Sequence, residues 1–380
     1  MQPENNRLIS LDFFRGITVA AMILVNNPGS WAQMYAPLKH AEWDGCTPTD
    51  LIFPFFLFIV GVSISFALSG KKKDPASHKQ AIYKIIKRSS ILFGLGLFLS
   101  LYPKVFTDPI EAFKYVRIPG VLQRISVVFL VSAILFLKFS TKSLFRIMIG
   151  LLLLYWGLMT LVPVPEVGYA NLEKETNLGA WLDRLILTEN HLWKSAKTWD
   201  PEGLLSTVPA ISTGLFGILV GLYIRKKEIE ISERIAWLFT AGVIATVIGL
   251  IWDLAFPINK SLWTSSFVMY TGGLATICFA LLYWIIDVKG YNKYTKPAVV
   301  YGVNAITVFF ISGLLPRTIN LIKLENADGK EIGAANYFYQ TAFVPYLDTI
   351  NASLAWAIMW IVFWLGILWV MYNKKIFIKV

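Results

Sequence analysis

His40 is the residue of this chain best suited to chemistry, because of its side chain and its neighbours. The chain contains only three histidines, and three carboxylates, Glu42, Asp44 and Asp50, follow His40 within ten residues. Imidazole titrates near neutral pH, so it can accept a proton from an attacking nucleophile during acyl transfer. The carboxylates could orient the ring or hold a cationic or polyhydroxyl acceptor. A histidine in an interfacial belt of aromatic and acidic residues has the same composition, so the motif alone leaves both interpretations open.

Polar side chains inside apolar segments form a second group of candidates. Burying such groups in hydrocarbon is costly, so each is a candidate for function or for joining helices by hydrogen bonds. Asp12 and Arg15 are three residues apart, on one face of a helix, and could pair with each other. The other members of the group are Asn26, Asn27, Gln123, Arg124, Asp253 and Asn304. We expect Asn26, Asn27, Asp50 and Arg124 to lie toward the outer leaflet with His40 and to share one cavity with it.

The elements that must position these residues are long apolar segments. The chain has 380 residues, of which 56% are hydrophobic and only 16% charged, whereas soluble domains are about 25% charged. A helix needs roughly 20 apolar residues to cross a bilayer, and solidly apolar rather than alternating segments favour helices over a barrel. We therefore predict an all-α polytopic membrane protein with about ten transmembrane helices, near residues 10–28, 50–69, 88–103, 119–139, 143–163, 203–224, 234–256, 262–286, 297–315 and 352–372.

The distribution of Lys and Arg predicts the orientation of these helices. Cytoplasmic loops of membrane proteins are enriched in Lys and Arg. With a cytoplasmic N-terminus, the cytoplasmic side would carry 21 basic residues and the other side 12. We therefore expect both termini to be cytoplasmic and the net charge of +11 to reflect topology rather than nucleic-acid binding. His40 and the long segments 164–202 and 316–351 would then face the exterior.

The rest of the sequence favours one membrane domain over residues 1–380. No internal repeat is evident, and Asp12 and Arg15 interrupt the first apolar segment, which we expect to be retained rather than cleaved as a signal peptide. A bacterial inner membrane is the expected location. No phosphate-cradling Gly-Lys-Ser/Thr motif and no Cys/His cluster with zinc spacing occurs. Neither an ATP-driven motor nor a metal site is therefore expected.

Short blocks of sequence resemble those of one enzyme family, in residues and in order. The blocks are LDFFRG (11–16), LVN (24–26), KHAEWDG (39–45), DLIFP (50–54), RIPGVLQR (117–124), DPEG (200–203), NKSLW (259–263), DVKG (287–290) and KKIF (374–377). Any one block is a weak signal, whereas the ordered set covers nearly the whole chain. In these blocks the chain resembles the heparan-α-glucosaminide N-acetyltransferase family.

The resemblance implies a reaction and a role for two residues. That family moves an acetyl group from cytoplasmic acetyl-CoA to the amino group of a terminal glucosamine across the membrane. His40 matches its active-site histidine and Asn26 a nearby asparagine, with a spacing that is a few residues longer here. His40 would take a proton from the attacking amine or carry the acetyl group itself, and Asn26 would stabilise the oxyanion.

The same resemblance implies binding residues and partners. We expect the donor and the acceptor to contact residues among Asp12, Arg15, Asp50, Gln123, Arg124 and Asn304. The phosphates of acetyl-CoA would lie against cytoplasmic cations such as Lys84, Lys87 and Arg88. The expected partners are an amino sugar or a glycan end, membrane lipid and, by analogy with the family, a second copy of the chain. The exterior N-terminal domain of eukaryotic members is expected to be absent.

Two other functions remain open on the sequence. One is a membrane O-acyltransferase that modifies a sugar hydroxyl of an envelope polysaccharide. The other is a secondary transporter for amino sugars, which would need no acetyl-CoA and would tolerate the loss of His40.

Overall fold

The computed structural model describes residues 8–326 and 328–378, which are almost entirely helical. Two basic residues counted in the orientation argument, Arg7 and Lys379, lie outside the described residues. The helices are α1 (Ile9–Asn26), α2 (Ile52–Lys72), α3 (His78–Leu101), α4 (Pro109–Lys114), α5 (Val121–Lys138), α6 (Thr141–Leu161), α7 (Leu178–Leu187), α8 (Thr207–Ile224), α9 (Ile231–Asp253), α10 (Ser265–Leu282), α11 (Lys296–Val303), α12 (Ala305–Ile319), α13 (Ala334–Ala342) and α14 (Thr349–Asn373). Strands β1 (Lys323–Glu325) and β2 (Glu331–Gly333) form an antiparallel hairpin, whose turn includes the hydrogen bond from the Gly329 amide to the Asn326 carbonyl.

The helix boundaries follow from local sequence signals. At the start of α6 the Ser140 hydroxyl accepts a hydrogen bond from the Ser143 amide at 3.2 Å. At the start of α7 the Asn177 side chain accepts one from the Ala180 amide at 2.9 Å. Each cap satisfies an amide that has no partner within its own helix, which stabilises the helix end by about 1 kcal/mol.

The prediction of an all-α polytopic membrane protein is confirmed. In the described residues, eight helices are long and apolar enough to cross a membrane, or nine if the bent pair α11 and α12 forms one span. Each of the ten predicted segments falls on a helix. The third falls in α3, which is 24 residues long but carries Lys79, Lys84, Lys87 and Arg88 in its first half. Every 18-residue stretch of α3 includes at least three of these charges, so α3 is too highly charged to count as a membrane span, and ten is an overestimate by that measure.

The ninth predicted segment is broken rather than straight. Its two halves, α11 and α12, meet at Asn304 with a bend of 79°. The Asn304 side chain donates to the Ile376 carbonyl at 3.1 Å and accepts from the Ile378 amide at 3.0 Å. Through these two hydrogen bonds, Asn304 fixes the segment after α14 against the bend between α11 and α12. A buried side chain that satisfies main-chain groups at a helix break has a structural role.

Close approach of α2 and α8 forms the centre of the bundle. A Cβ on Gly217 would lie 2.0 Å from the Phe58 carbonyl oxygen, and one on Gly61 would lie 2.0 Å from the Gly214 carbonyl oxygen. Only glycine fits at such contacts, and lipid supplies no hydrophobic force between helices, so this packing holds the pair together. Gly214, Gly217 and Gly221, spaced three and four residues apart on α8, all lie at such close contacts.

The bundle has two ends with different chemistry. The segment 27–51, between α1 and α2, lies at one end, which we call the His40 end. At the opposite end α2 finishes at Lys72 and α8 at Ile224, close to Arg225, Lys226 and Lys227. We call this the basic end.

Candidate active site

His40 and Asp50 form a hydrogen-bonded pair at the His40 end. His40 Nδ1 lies 2.6 Å from Asp50 Oδ1. The Asp50 side chain is only 1% exposed, whereas that of His40 is 48% exposed. A carboxylate only accepts hydrogen bonds, so Nδ1 must carry the proton, and Nε2 of the neutral ring is left as a proton acceptor. The pair therefore presents a base to the solvent-facing side and a buried carboxylate behind it.

Local sequence at the start of α2 positions Asp50. Thr47 and Asp50 form a capping box around the turn Pro48–Leu51. Asp50 Oδ2 accepts hydrogen bonds from the amides of Ala41 and Thr47 and from the Thr47 hydroxyl, each at 3.0 Å. With its other oxygen bound to His40, this carboxylate is fixed in one orientation. The ring of His40 is held by a group that cannot rotate away.

The loop that carries His40 is also held in place by hydrogen bonds to the loop between α9 and α10. The Gly45 amide donates to the Ile258 carbonyl at 2.7 Å, and Asn259 Nδ2 donates to Asp44 Oδ1 at 3.2 Å. Asn259 is completely buried, and its Oδ1 accepts from the Leu262 amide at 2.8 Å. Asp44 and Asn259 are 215 residues apart in the sequence, so this contact could not be predicted from it.

We expect Asn259→Ala to slow any reaction at His40 by about tenfold, since small displacements of a positioned group cost that much or more. The effect should fall on kcat rather than KM. Asp44→Ala removes the same contact without leaving the Leu262 amide unpaired, and it should slow the reaction similarly. Asp44→Asn keeps an acceptor oxygen and serves as the matched control. Wild-type kcat in both alanine variants would exclude a role for the hydrogen bond between Asp44 and Asn259.

An aromatic cluster borders the His40 loop. The rings of Trp43 and Trp199 meet edge to face with centroids 5.2 Å apart, and Trp199 meets Trp193 in the same way at 5.7 Å. Trp43 Nε1 donates to the Leu172 carbonyl at 3.0 Å. The segment 164–202 is thus not a free loop, because α7 and these contacts fold it against the site. Its tryptophans offer apolar ring surface beside a polar site.

A buried ion network lies behind this cluster. Arg117 donates to Asp200 Oδ2 through Nε at 2.8 Å and, through Nη2, to Asp200 Oδ1 and Glu202 Oε2, each at 2.5 Å. Burial lowers the pKa of Arg117, but the bonds to Asp200 and the charge of Glu202 outweigh it and raise that pKa overall. Arg117 therefore stays charged and compensates two carboxylates that water does not reach.

The pKa values of two neighbouring groups are set mainly by burial. Burial raises the pKa of Asp183 to about 7, against the opposing hydrogen bond from the Leu204 amide. Burial lowers the pKa of Lys260, and the negative charges of Glu202 and Asp50 oppose that shift. Lys260 therefore interacts electrostatically with a carboxylate of the ion network and with Asp50.

Arg124 contacts residues that follow the ion network in the chain rather than the His40–Asp50 pair. Its Nη2 donates to the Gly203 carbonyl at 3.2 Å and also contacts the Ser206 hydroxyl. Its guanidinium lies over the Trp263 ring, 5.1 Å from the centroid. Gln123 is buried next to Gly96, where a Cβ would lie 2.2 Å from its Oε1.

Asn26 lies at the end of α1, with its side chain exposed. In the described part of the chain, no hydrogen bond joins Asn26 or Arg124 to His40 or Asp50. The expected cavity shared by these residues is therefore not formed by direct contacts. The assignment of Asn26 to the oxyanion stays a prediction.

A second candidate site is a cavity of about 370 Å³ among α1, α2, α3, α5 and the α11–α12 bend. Two arginines line it, Arg15 and Arg88. Arg15 Nη1 donates to Asp12 Oδ1 at 3.0 Å and Nη2 to the Ser63 hydroxyl at 2.8 Å. The Arg88 guanidinium lies over the Phe129 ring, 4.9 Å from the centroid. The predicted pairing of Asp12 with Arg15 is confirmed, and both arginines lie nearer the basic end than the His40 end.

The comparisons with known proteins point to one family. Residues 7–183 match a family model described as heparan-alpha-glucosaminide N-acetyltransferase, catalytic. The chain is 30% identical to heparan-alpha-glucosaminide N-acetyltransferase of Homo sapiens over 98% of its own length and 60% of that relative. It is 29% identical to the Mus musculus protein of the same name over 100% of its own length and 62% of the relative. The chain thus spans about three fifths of the length of these curated relatives.

Proposed function

The chain belongs to the heparan-alpha-glucosaminide N-acetyltransferase family, and from that premise we propose that it transfers an acetyl group from acetyl-CoA to the amino group of a glucosamine-type sugar. The observation that carries the proposal is the His40–Asp50 pair, with Nε2 of a half-exposed imidazole free to accept a proton. The motif that matches the family's histidine is thus also the best-positioned base at the His40 end.

At this site the reaction needs one base and one acid in sequence. The sugar amine attacks the thioester carbonyl, and His40 Nε2 takes the proton that the nitrogen loses. The C–N bond forms, the C–S bond breaks, and the imidazolium returns the proton to the leaving thiolate. Asp50 keeps the proton on Nδ1 and stabilises the imidazolium, as a buried carboxylate does for histidine in hydrolytic triads.

The cavity lined by Arg15 and Arg88 supports a donor that enters from the basic end. Guanidinium groups bind phosphate oxygens in a bidentate manner, and the apolar walls suit an extended arm. Eleven residues of α1 separate Arg15 from Asn26, which corresponds to about 17 Å along the helix. A donor anchored near Arg15 would have to reach that far toward His40. This layout matches a donor on one side of the membrane and an acceptor on the other.

The surroundings of His40 support an amino-sugar acceptor. Glu42 and Asp44 are exposed beside His40 and can attract an ammonium group. Trp43, Trp193 and Trp199 supply ring surface against which the apolar face of a sugar can pack. We place the His40 end on the exterior of a bacterial inner membrane and both termini in the cytoplasm, because the opposite end carries the basic residues.

We expect Arg88→Gln to raise the KM for acetyl-CoA by about tenfold, because the variant loses one charge-assisted hydrogen bond to a phosphate of the donor. The KM for the sugar should change little. Lys79→Gln is the matched control, because Lys79 is exposed on the same helix and does not line the cavity. Initial rates with radiolabelled acetyl-CoA measure both constants. A rise that is equal in the two variants would mean that only general surface charge matters.

The proposed reaction is tested with the full chain in sealed proteoliposomes. Radiolabelled acetyl-CoA is supplied on one face and glucosamine on the other, and labelled N-acetylglucosamine is the expected product. A label released by mild alkali would indicate an ester and favour the O-acyltransferase. Accumulation of glucosamine without acetyl-CoA would favour the transporter. Product that forms only when both substrates share one face would contradict transfer across the membrane.

A further inference from the structure

A groove on the outer surface of the bundle lies at the basic end, between the start of α6 and the end of α8. It has a volume of about 670 Å³. Its lining includes Thr141, Lys142, Phe145 and Arg146 from α6, Tyr223 from the end of α8, and Lys226 just after that helix. We call it the basic groove. It shares no residue with the cavity lined by Arg15 and Arg88.

The three cations of the basic groove have no acidic partner. Within residues 8–326 and 328–378, no carboxylate pairs with Lys142, Arg146 or Lys226, all of which are exposed. Among the described residues, Lys226 Nζ lies over the Tyr223 ring, 5.4 Å from the centroid. Three unpaired cations around one concave surface attract an anion with several oxygen acceptors.

The first turn of α6 adds donors to the same place. The Ser140 side chain caps the Ser143 amide at 3.2 Å and so leaves the amides of Thr141 and Lys142, which come first in the helix, without a partner in that helix. The N-terminus of a helix of 21 residues also carries a partial positive charge. The amides of Thr141 and Lys142, the Thr141 hydroxyl and the three cations together provide the donors that a phosphate group requires.

The shape of the groove distinguishes a lipid from a soluble phosphate. Lys142 and Arg146 are followed on the same face of α6 by Gly150 and Leu153, at intervals of three or four residues. All four are exposed, and Phe145 beside them is 53% exposed, so this face of α6 continues from the basic groove toward the hydrocarbon region largely uncovered by protein. Phosphate donors at the membrane surface above an apolar helix face match a headgroup above its acyl chains.

We propose that the basic groove binds the phosphate headgroup of an anionic phospholipid, with the acyl chains along the exposed face of α6. Basic pockets between transmembrane helices bind anionic headgroups in this way. The phosphates of acetyl-CoA are the competing occupant. They are disfavoured here because the groove opens to the lipid and not into the bundle.

The experiment measures lipid retained by the purified full chain after exchange into nanodiscs that contain phosphatidylglycerol and phosphatidylcholine. We expect the wild type to retain phosphatidylglycerol selectively. The variant Lys142→Gln/Arg146→Gln/Lys226→Gln should retain at least about tenfold less, since each cation near an anionic lipid contributes to its binding. The matched control Lys289→Gln/Lys293→Gln/Lys374→Gln removes the same charge at the same end, from exposed residues outside the groove, and should behave as wild type.

Competition identifies the occupant. Neither glycerol phosphate nor acetyl-CoA should displace phosphatidylglycerol from the wild type if the acyl chains contribute. Displacement by acetyl-CoA would overturn the proposal and assign the groove to the donor, and displacement by glycerol phosphate would assign it to free phosphates. Equal retention by the two triple variants would also overturn it. Should the groove variant fail to elute as a folded protein on size exclusion, Arg146→Gln alone and the charge-preserving Arg146→Lys give the same comparison.

Discussion

We expect His40→Ala to lower the kcat of acetyl transfer by about 10² to 10⁴, the range for removal of a positioned general base. Nε2 of His40 is the free base that the structure places at this site, and no other histidine adjoins Asp50 in the described residues. The KM for acetyl-CoA should be almost unchanged, because the proposed donor cavity lies nearer the opposite end of the bundle. The measurement is the steady-state rate of labelled N-acetylglucosamine formation by the purified chain.

Two variants make that result specific. Asp50→Asn keeps the size of the side chain but no longer holds the proton on Nδ1 or stabilises the imidazolium, so it should also lose much of kcat. His78→Gln changes a histidine at the basic end, at the start of α3, and should leave the rate unchanged. Equal rates in wild type and His40→Ala would remove His40 from the chemistry.

The largest effect on stability is expected at Arg117. Replacing Arg117 by methionine leaves Asp200 and Glu202 as buried carboxylates without their partner. Such a change lowers the free energy of unfolding by about 3–5 kcal/mol. The Arg117 side chain is 24% exposed and its two partners are at most 5% exposed, so solvent screens the network little. Thermal unfolding in detergent, followed by tryptophan fluorescence, should show a clearly lower midpoint.

A second arginine in the same region provides the control. Arg184 pairs with Glu166 at 2.8 Å, but the Glu166 side chain is 61% exposed. A pair so accessible to solvent contributes about 1 kcal/mol or less. Glu166→Gln removes this pair but leaves the hydrogen bonds from Arg184 to the Glu175 and Thr198 carbonyls in place, so it should shift the unfolding midpoint far less than Arg117→Met. Similar shifts in the two variants would show that the Arg117 network contributes no more to stability than the exposed Arg184–Glu166 pair.

The transmembrane helices and the family could be predicted from the sequence because both are encoded locally. A bilayer demands uninterrupted apolar length, and each predicted span corresponds to a helix. The exceptions have physical causes. The charges of α3 are too many for a membrane span, and the bend at Asn304 depends on the C-terminal chain, which is more than 70 residues away.

The His40–Asp50 pair could also be predicted in part from the sequence. His40 and Asp50 are ten residues apart on one loop, and the Thr47–Asp50 capping box is a short-range signal. The sequence could suggest that a carboxylate orients the ring, but it left Glu42, Asp44 and Asp50 as equal candidates. Burial distinguishes them, because Asp50 is enclosed while Glu42 and Asp44 are exposed.

By itself, the sequence determined that this chain is a helical membrane protein, that its ends differ in charge and that it carries the ordered motifs of an acetyltransferase family. Only the tertiary structure decided which residues meet. It joined Arg117 to Asp200 across 83 residues and Asp44 to Asn259 across 215, and it placed Arg15 and Arg88 in one cavity. The physical reason is that hydropathy and capping act over a few residues, whereas ion pairs and cavities depend on how whole helices pack.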